Sequence, residues 1–137
     1  MILSNMKIEH WEKIEGTPAT GGPYSTAVRY GHLLFLAGQI PWDAATQTLF
    51  QDSVSAEVQN IFLNVCKILE HCGSSLEQVL RVNCYLMNPE DAKEFSAAYK
   101  VQFKAGSLPV RSMVFVKALP FGARIEMEFT VGAVKKS

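Results

Sequence analysis

Short stretches of alternating hydrophobic and polar residues occur along the whole chain, between segments rich in glycine, proline and polar residues. Alternation with a period of two predicts β-strands. The predicted strands cover residues 7–14, 24–30, 32–38, 80–86, 110–118 and 124–131. Residues 32–38 are apolar without interruption, which predicts a strand buried on both faces. Because only the Gly31-His32 turn separates this strand from residues 24–30, the two are predicted to form a hairpin.

Two segments instead repeat hydrophobic residues at the spacing of an α-helix. The apolar positions of the first are Val54, Val58, Ile61, Val65, Ile68 and Cys72. Asp52 or Ser53 can cap the start of this helix by accepting a backbone N–H bond, and Gly73 can end it in a left-handed conformation. Residues 89–104 are predicted to form the second helix, with Pro89 in its first turn. Its apolar stripe is Ala92, Phe95, Tyr99 and Phe103.

The order of predicted elements is β-β-β-α-β-α-β-β, which is typical of an α+β fold. A chain of 137 residues suits one core, so residues 1–137 are expected to form a single domain, with residues 41–52 as a polar loop. One mixed sheet with both helices on one face would bury the apolar stripes. Met113 and Phe115 would then lie on the helix-free face, where a partner subunit is the natural cover.

The charge balance and the absence of leader-like segments narrow the class of protein. Lysine and arginine number 13 and aspartate and glutamate 13, whereas nucleic-acid binders usually carry a basic excess. No apolar run approaches the roughly 20 residues of a membrane span, and no signal-peptide pattern is visible. Cys66, Cys72 and Cys84 are an odd number, which favours reduced thiols in a cytoplasmic protein. His71 adjoins Cys72, but no second ligand pair has zinc-site spacing, so no metal is expected.

Arg111 is the strongest candidate for chemistry. It begins a predicted strand and shares a face with Met113 and Phe115, so its guanidinium needs an anion nearby. The planar fork of arginine matches a carboxylate in two parallel hydrogen bonds. A structural ion pair with Glu126 or Glu128 on the next strand explains the residue equally simply. From the residues alone, this ion pair is the commoner arrangement.

Glu126 and Tyr24 are weaker candidates. Glu126 shares a strand face with Glu128 and could orient or deprotonate a water, although a solvated strand face is the simpler interpretation. Tyr24 follows a Gly-Gly-Pro turn, and its hydroxyl could bind a ligand, although strand tyrosines usually serve packing. Trp11 and Trp42 are isolated aromatics to which the sequence assigns no role. No Ser-His-Asp or Cys-His arrangement and no phosphate-binding glycine loop can be assembled.

Three ordered motifs resemble a known family. They are Gly22-Pro23-Tyr24, Ala37-Gly38-Gln39-Ile40-Pro41, and the C-terminal set Pro109-Val110-Arg111-Ser112-Met113-Val114, Lys117-Ala118-Leu119-Pro120 and Ile125-Glu126-Met127. Together they resemble the reactive-intermediate imine deaminase (Rid) family, also called the YjgF family. The match runs from about residue 17 to residue 131.

The resemblance implies a chorismate-mutase-like fold and a homotrimer whose sheets line a central barrel, with active sites between subunits. It implies hydrolysis of 2-imino or 2-enamino acids to 2-keto acids and ammonia, without metal or organic cofactor. By position in the motifs, Arg111 would hold the substrate carboxylate and Glu126 would position or activate water. Tyr24, Tyr99 and the Pro120 segment fall at pocket positions of the family. The chemistry needs only orientation and acid–base help, because the imine carbon is already electrophilic.

Three pocket positions depart from the family pattern. The family cysteine is Met113 here, the serine before Gly38 is Ala37, and an asparagine one turn before Tyr99 is Ser96. We therefore expect a changed substrate preference. The alternatives are a non-catalytic trimer that binds a small carboxylate metabolite and a specialised aminoacrylate- or aminomuconate-type deaminase. RNA cleavage is also associated with the family, but the neutral charge and the lack of a basic aromatic groove argue against it.

Overall fold

The computed structural model describes residues 6–133. Within this range the chain forms eight strands and two α-helices, joined by short 3-10 turns. The strands are β1 (Ile8–Trp11), β2 (Ala27–Tyr30), β3 (Leu33–Leu36), β4 (Trp42–Asp43), β5 (Thr48–Leu49), β6 (Val79–Leu86), β7 (Val110–Phe115) and β8 (Ile125–Gly132). The helices are α1 (Val54–His71) and α2 (Ala92–Lys100).

Six of the strands form one mixed sheet, in the order β1-β2-β3-β8-β6-β7. The β2–β3 hairpin forms as predicted, with Ala27 opposite Leu36. All neighbours are antiparallel except β6 and β7, which run parallel and are connected through α2. Because β7 has a neighbour on one side only, the strand that carries Arg111 is an edge of the sheet. The predicted α+β fold with a mixed sheet is confirmed.

Helix α1 supplies much of the core. Its apolar stripe is buried against the sheet, as the helical spacing predicted. Of the two candidate caps, Ser53 caps the helix, since its hydroxyl accepts from the backbone N–H of Ala56 at 3.1 Å. Gly73 follows the helix with a φ of +76°, the left-handed conformation expected of a terminating glycine. In residues 6–133 no helix has both the length and the apolar character needed to cross a bilayer.

Two element predictions need correction. Residues 41–52 contain a small hairpin of β4 and β5, because Asp43 accepts two backbone N–H bonds and closes the turn. The second helix is shorter than 89–104: a 3-10 turn over Pro89–Asp91 precedes α2, which ends at Lys100. Beyond Lys100 the backbone forms turns, although Phe103 still packs against the core.

The predicted positions of Met113 and Phe115 on the helix-free face are wrong. Met113 lies opposite the buried Cys84 of β6 and packs against the core, so both residues point to the helix side. Residues 32–38 are also not buried on both faces, since Leu33 and Phe35 are exposed while Leu34 and Leu36 are buried. Alternation reveals which residues share a face but not which face carries the helices.

The helix-free face still carries exposed hydrophobic side chains, but different ones. Leu33, Phe35 and Tyr30 are each about two fifths exposed, and Val114 on β7 is 47% exposed. These residues alternate with buried ones, which assigns them to the side away from α1 and α2. The expectation of an apolar, uncovered sheet face therefore holds with other residues.

Candidate functional site

Arg111 lies where the edge strand β7 meets α2. One guanidinium nitrogen donates to the Ser96 hydroxyl at 3.2 Å, and the guanidinium carbon lies 4.9 Å from the centre of the Tyr99 ring. Both partners are neutral, and Arg111 itself is exposed. Within residues 6–133 no carboxylate pairs with it. Arg111 therefore presents a supported cationic fork to solvent, which suits an anionic ligand.

One feature beside Arg111 fits an anion site. Arg81 and Ser112 border a small depression of about 50 Å³ at the same edge, but the register places their side chains on the opposite face of the sheet from Arg111. Beneath the guanidinium, the hydroxyl of the buried Tyr99 has no hydrogen-bond partner among residues 6–133. Burial raises the pKa of the Tyr99 hydroxyl and raises the pKa of the neighbouring Cys84 thiol to about 12, so both groups are neutral. Neither Tyr99 nor Cys84 therefore supplies a negative charge to the Arg111 guanidinium.

Glu126 lies on β8, on the helix-free face. Its carboxylate touches Gly38: a Cβ at this glycine would come within 2.8 Å of Glu126 Oε2, so any side chain at position 38 would displace the carboxylate. Burial, and secondly the negative charge of Glu128, raise the pKa of the Glu126 carboxyl. A half-buried carboxyl with a raised pKa suits a proton acceptor or donor near neutral pH better than a solvated strand face does.

Glu128 is occupied by its neighbours. Its carboxylate accepts from Asn83 Nδ2 at 3.0 Å and from the hydroxyl of Tyr85. The hydrogen bond to Glu128, and then burial, raise the pKa of Tyr85 to about 12. Glu128 is therefore held in a network, while Glu126 next to Gly38 is the carboxylate available for a ligand.

A cleft with a volume of about 90 Å³ opens at Gly38. Residues that line it and bear on its chemistry are Gly21, Tyr24, Ala37, Gly38, Trp42 and Phe121. Tyr24 is half exposed, and its hydroxyl accepts from the backbone N–H of Gly21 at 3.3 Å. Pro120 begins the 3-10 turn that brings Phe121 to the cleft.

Sequence reasoning missed Trp42 and Phe121. Their rings pack against each other with centres 5.1 Å apart. Trp42 was assigned no role, yet it directly follows the Gly38-to-Pro41 motif, and Phe121 directly follows Pro120. Proximity to the motifs was the signal that could have identified both.

The candidate residues form two separate groups in one chain. Arg111, Ser96, Tyr99 and Met113 cluster on the helix side of the edge strand, whereas Tyr24, Ala37, Gly38 and Glu126 cluster around the cleft. Glu126 pairs with Tyr85 on the helix-free side, and β6 separates its strand from β7. The two groups therefore do not meet within one chain.

The alternative prediction for Arg111, a structural ion pair with Glu126 or Glu128, is wrong. Glu126 and Glu128 lie on the opposite face of the sheet, two strands away. The salt bridge found in the described part of the chain joins Arg124 to the buried Glu57 at 2.9 Å. A second bond, from Arg124 Nε to Glu57 Oε1 at 3.1 Å, makes the pair bidentate. Arg124, immediately before β8, is thus the arginine that forms a structural ion pair.

Among the described residues, no group of three or more histidine, cysteine, aspartate or glutamate side chains is placed to hold a metal ion. The two groups present one exposed guanidinium, Arg111, and one carboxyl whose pKa is raised by burial, Glu126.

The mixed sheet thus carries an exposed arginine at its edge strand and a half-buried glutamate beside Gly38 on its other face. The sequence profile of the family described as "Endoribonuclease L-PSP" matches residues 14–133. The chain therefore belongs to this family, the Rid or YjgF family, and the resemblance noted in the sequence is confirmed.

Individual proteins and one solved structure are similar to this chain over most of its length. A RutC family protein from Pyrococcus abyssi is 36% identical over 83% of this chain and 89% of its own. A Dermatophagoides farinae protein named 2-iminobutanoate/2-iminopropanoate deaminase is 33% identical over 83% of this chain and 88% of its own. The crystal structure of yeast YEO7 superposes with a TM-score of 0.87 at 32% identity, covering 93% of this chain and 100% of that one.

Proposed function

We propose that this protein hydrolyses 2-imino or 2-enamino acids to 2-keto acids and ammonia. The observation that carries the proposal is Arg111, an exposed guanidinium held by two neutral side chains and without a carboxylate partner among residues 6–133. A 2-imino acid offers the carboxylate that such a fork binds. The deaminase name of the Dermatophagoides farinae relative supports the same chemistry.

Glu126 carries the proton transfers. The imine reacts with its nitrogen protonated, as an iminium ion. A water beside Glu126 adds through its oxygen to the iminium carbon while the carboxylate accepts one of the water protons, which gives a neutral carbinolamine. Glu126 returns that proton to the amino group. The carbon–nitrogen bond then breaks and ammonia leaves while the Glu126 carboxylate accepts the hydroxyl proton, which gives the 2-keto acid; Glu126 afterwards releases this proton to solvent. Because the pKa of the Glu126 carboxyl is raised towards neutral pH, this carboxyl can both accept and return a proton. For an enamine, protonation of the β-carbon first gives the iminium ion.

The complete site forms between two copies of the chain in a homotrimer. Arg111 and Glu126 point to opposite sides of one sheet, so one molecule cannot bring both to a small substrate. Packing the edge strand β7 of one copy against the Gly38 side of another supplies Arg111 to the cleft. The exposed Leu33, Phe35 and Val114 on the helix-free face would be covered by the same association. No nucleic acid, membrane, metal or organic cofactor takes part.

Ammonia release tests the proposal. An amino-acid oxidase generates 2-iminopropanoate in place, and the rate of ammonia release is compared with and without the protein. Acceleration above the spontaneous rate, lost in Arg111→Ala, is expected. No acceleration for any 2-imino acid, small or bulky, would overturn the enzymatic proposal.

A non-catalytic carboxylate-binding trimer is the second candidate. It is favoured by Ala37 and Met113, which bring no hydroxyl or thiol to positions where the family pattern has serine and cysteine. Calorimetric binding of a 2-keto acid without ammonia release would identify this function. A specialised aminoacrylate- or aminomuconate-type deaminase would instead release ammonia from those substrates alone.

A further inference from the structure

We propose that Trp42 and Phe121 form a subsite for a planar aromatic side chain, so that this protein prefers aryl-bearing 2-imino acids over those with a methyl or ethyl group. The inference deepens the proposed function and rests on it for the identity of the reaction. Its basis is the geometry of the cleft beside Gly38.

The aromatic pair forms one wall of the cleft. The two rings are tilted by 59° with their centres 5.1 Å apart, and Phe121 remains 69% exposed. The tip of the Phe121 ring lies near Gly21 on the opposite side, 3.7 Å from where a Cβ at that glycine would be. Phe121 therefore overhangs the cleft and leaves ring surface available for stacking with a ligand.

Trp42 is fixed before any ligand arrives. Its backbone N–H donates to Asn60 Oδ1 at 2.6 Å, and its carbonyl accepts from the side-chain amides of Asn60 and Asn64, both on α1, at 3.0 and 2.9 Å. The indole N–H donates to Gln47 Oε1 at 2.9 Å. A ring held in this way loses little conformational entropy when it binds a ligand.

Gln47 connects the two sides of the cleft. The oxygen that accepts from Trp42 also accepts from the backbone N–H of Ala19 at 3.0 Å, in the loop that leads to Gly21. The amide nitrogen of Gln47 donates to the carbonyl of Ala44 at 2.7 Å. Gln47 thus positions the Trp42 ring relative to the opposite wall without contacting the reacting atoms.

Phe121 adopts a backbone conformation that bulky residues avoid. Its φ is +60°, in the left-handed region where asparagine and glycine are favoured. A phenylalanine there costs stability, and its exposed side chain returns little through burial. An exposed, strained aromatic at the rim of a cleft indicates a role in ligand binding rather than in folding.

The position of the pair defines which part of the substrate it meets. Glu126 marks the reacting carbon beside Gly38, and Arg111 of a second copy fixes the carboxylate. The remaining substituent of the imino acid extends along the cleft from Gly38 towards Trp42. A methyl or ethyl group would leave the ring pair uncovered, whereas an aryl group would stack on it.

Binding and catalysis are measured separately. Calorimetry compares phenylpyruvate with pyruvate, the keto acids that correspond to the aryl and the methyl substrate. Ammonia release compares imino acids generated from phenylalanine and from alanine. We expect a preference for the aryl compound of about 10-fold in both Kd and kcat/KM, the usual scale of discrimination by an apolar pocket.

Variants at position 121 separate the ring from the backbone. Phe121→Asn removes the ring but suits a positive φ, so the turn is retained and the aryl preference should fall about 10-fold. Phe121→Tyr retains the ring and should retain the preference. Leu63→Asn, which removes an exposed apolar side chain from the outer surface of α1, serves as the matched control.

The outcomes separate this inference from the proposed function. Hydrolysis of both imino acids with equal kcat/KM would overturn the aryl subsite and leave the deaminase standing. Tighter binding of phenylpyruvate that depends on the ring at 121, without ammonia release, would uphold the subsite and overturn the deaminase. An aryl preference unchanged in Phe121→Asn would also overturn the subsite.

Discussion

Replacing Arg111 with alanine distinguishes a ligand-binding arginine from a structural one. In the folded chain Arg111 is exposed and makes one hydrogen bond to a neutral hydroxyl and one contact with an aromatic ring. Such contacts contribute about 1 kcal/mol together. For a chain of this size, a loss of that order lowers the thermal midpoint by roughly 3–5 °C. The variant should therefore fold and remain testable.

The expected effect on activity is much larger. Truncating one partner of a buried, charge-assisted pair costs about 2–5 kcal/mol. If Arg111 binds the substrate carboxylate in this way, kcat/KM should fall by roughly 30-fold to several thousand-fold. Arg111→Lys should recover little, because an ammonium cannot form two parallel bonds to a carboxylate. Activity and stability would thus respond on different scales.

Two measurements on the same samples decide the matter: ammonia release from a 2-imino acid and the thermal midpoint. Lys100→Ala removes the same charge from an exposed position on α2 and controls for the change in net charge. A folded Arg111→Ala protein with the parental kcat/KM would refute the carboxylate clamp. Loss of activity only in proportion to unfolding would point to a structural role instead.

Four further variants test Glu126, Glu128, Met113 and Glu57. Glu126→Gln should abolish ammonia release without lowering the thermal midpoint at neutral pH. Folding raises the pKa of the Glu126 carboxyl, so this group lowers the stability of the protein as the pH rises from its unfolded to its folded pKa. Glutamine does not ionise and removes this cost. Glu128→Gln removes the like charge, so the acid limb of the kcat/KM profile should move to lower pH; an unmoved limb would exclude Glu126 as its origin. Met113→Cys should keep the fold at a cost of about 1–2 kcal/mol, because Met113 packs against the core. It should also change the ratio of activities on small and bulky imino acids, because Met113 lies on the same face of β7 as Arg111. An identical ratio would show that Met113 does not shape the pocket. Glu57→Ala should lower the free energy of unfolding by about 2–4 kcal/mol, because Arg124 loses its bidentate partner. Urea titration measures this change. An unchanged free energy of unfolding would mean that the ion pair contributes no net stability.

The fold was largely predictable because local signals agreed with the tertiary structure. The apolar stripe of α1, its serine cap and the glycine after it all indicated the same helix, and the packing against the sheet confirmed it. The β4–β5 hairpin escaped prediction, since two-residue strands carry no periodic signal. It depends on contacts between distant positions, such as Asn60 and Asn64 of α1 bonding to Trp42.

The prediction that placed Met113 and Phe115 of β7 on the helix-free face was wrong, and this error bears on the site. Alternation correctly grouped Arg111 with Met113, but β7 is covered by α2 on one side only, so both sides of the strand carry apolar residues. Only the register with β6, which places Met113 opposite the buried Cys84, shows which side faces the helices. The motifs made Arg111 and Glu126 candidates, but the separation of the two residues by the sheet depends on strand order, which no local pattern encodes.

That separation gives the assembly proposal a test which does not depend on mass alone. Light scattering should give three times the 15.2 kDa chain mass. If each site takes Arg111 from one copy and Glu126 from its neighbour, Arg111→Ala and Glu126→Gln chains are each inactive alone but complementary. The two variants are unfolded together in equal amounts and refolded, so that trimers form at random. An interface then has an intact site when one chain supplies Arg111 and its neighbour supplies Glu126, which holds for about one interface in four. About a quarter of the parental activity should therefore return. The same variants mixed without unfolding control for exchange. If co-refolded trimers of verified mixed composition stay inactive, the two residues do not share an intersubunit site, and the placement of Arg111 in the cleft must be abandoned.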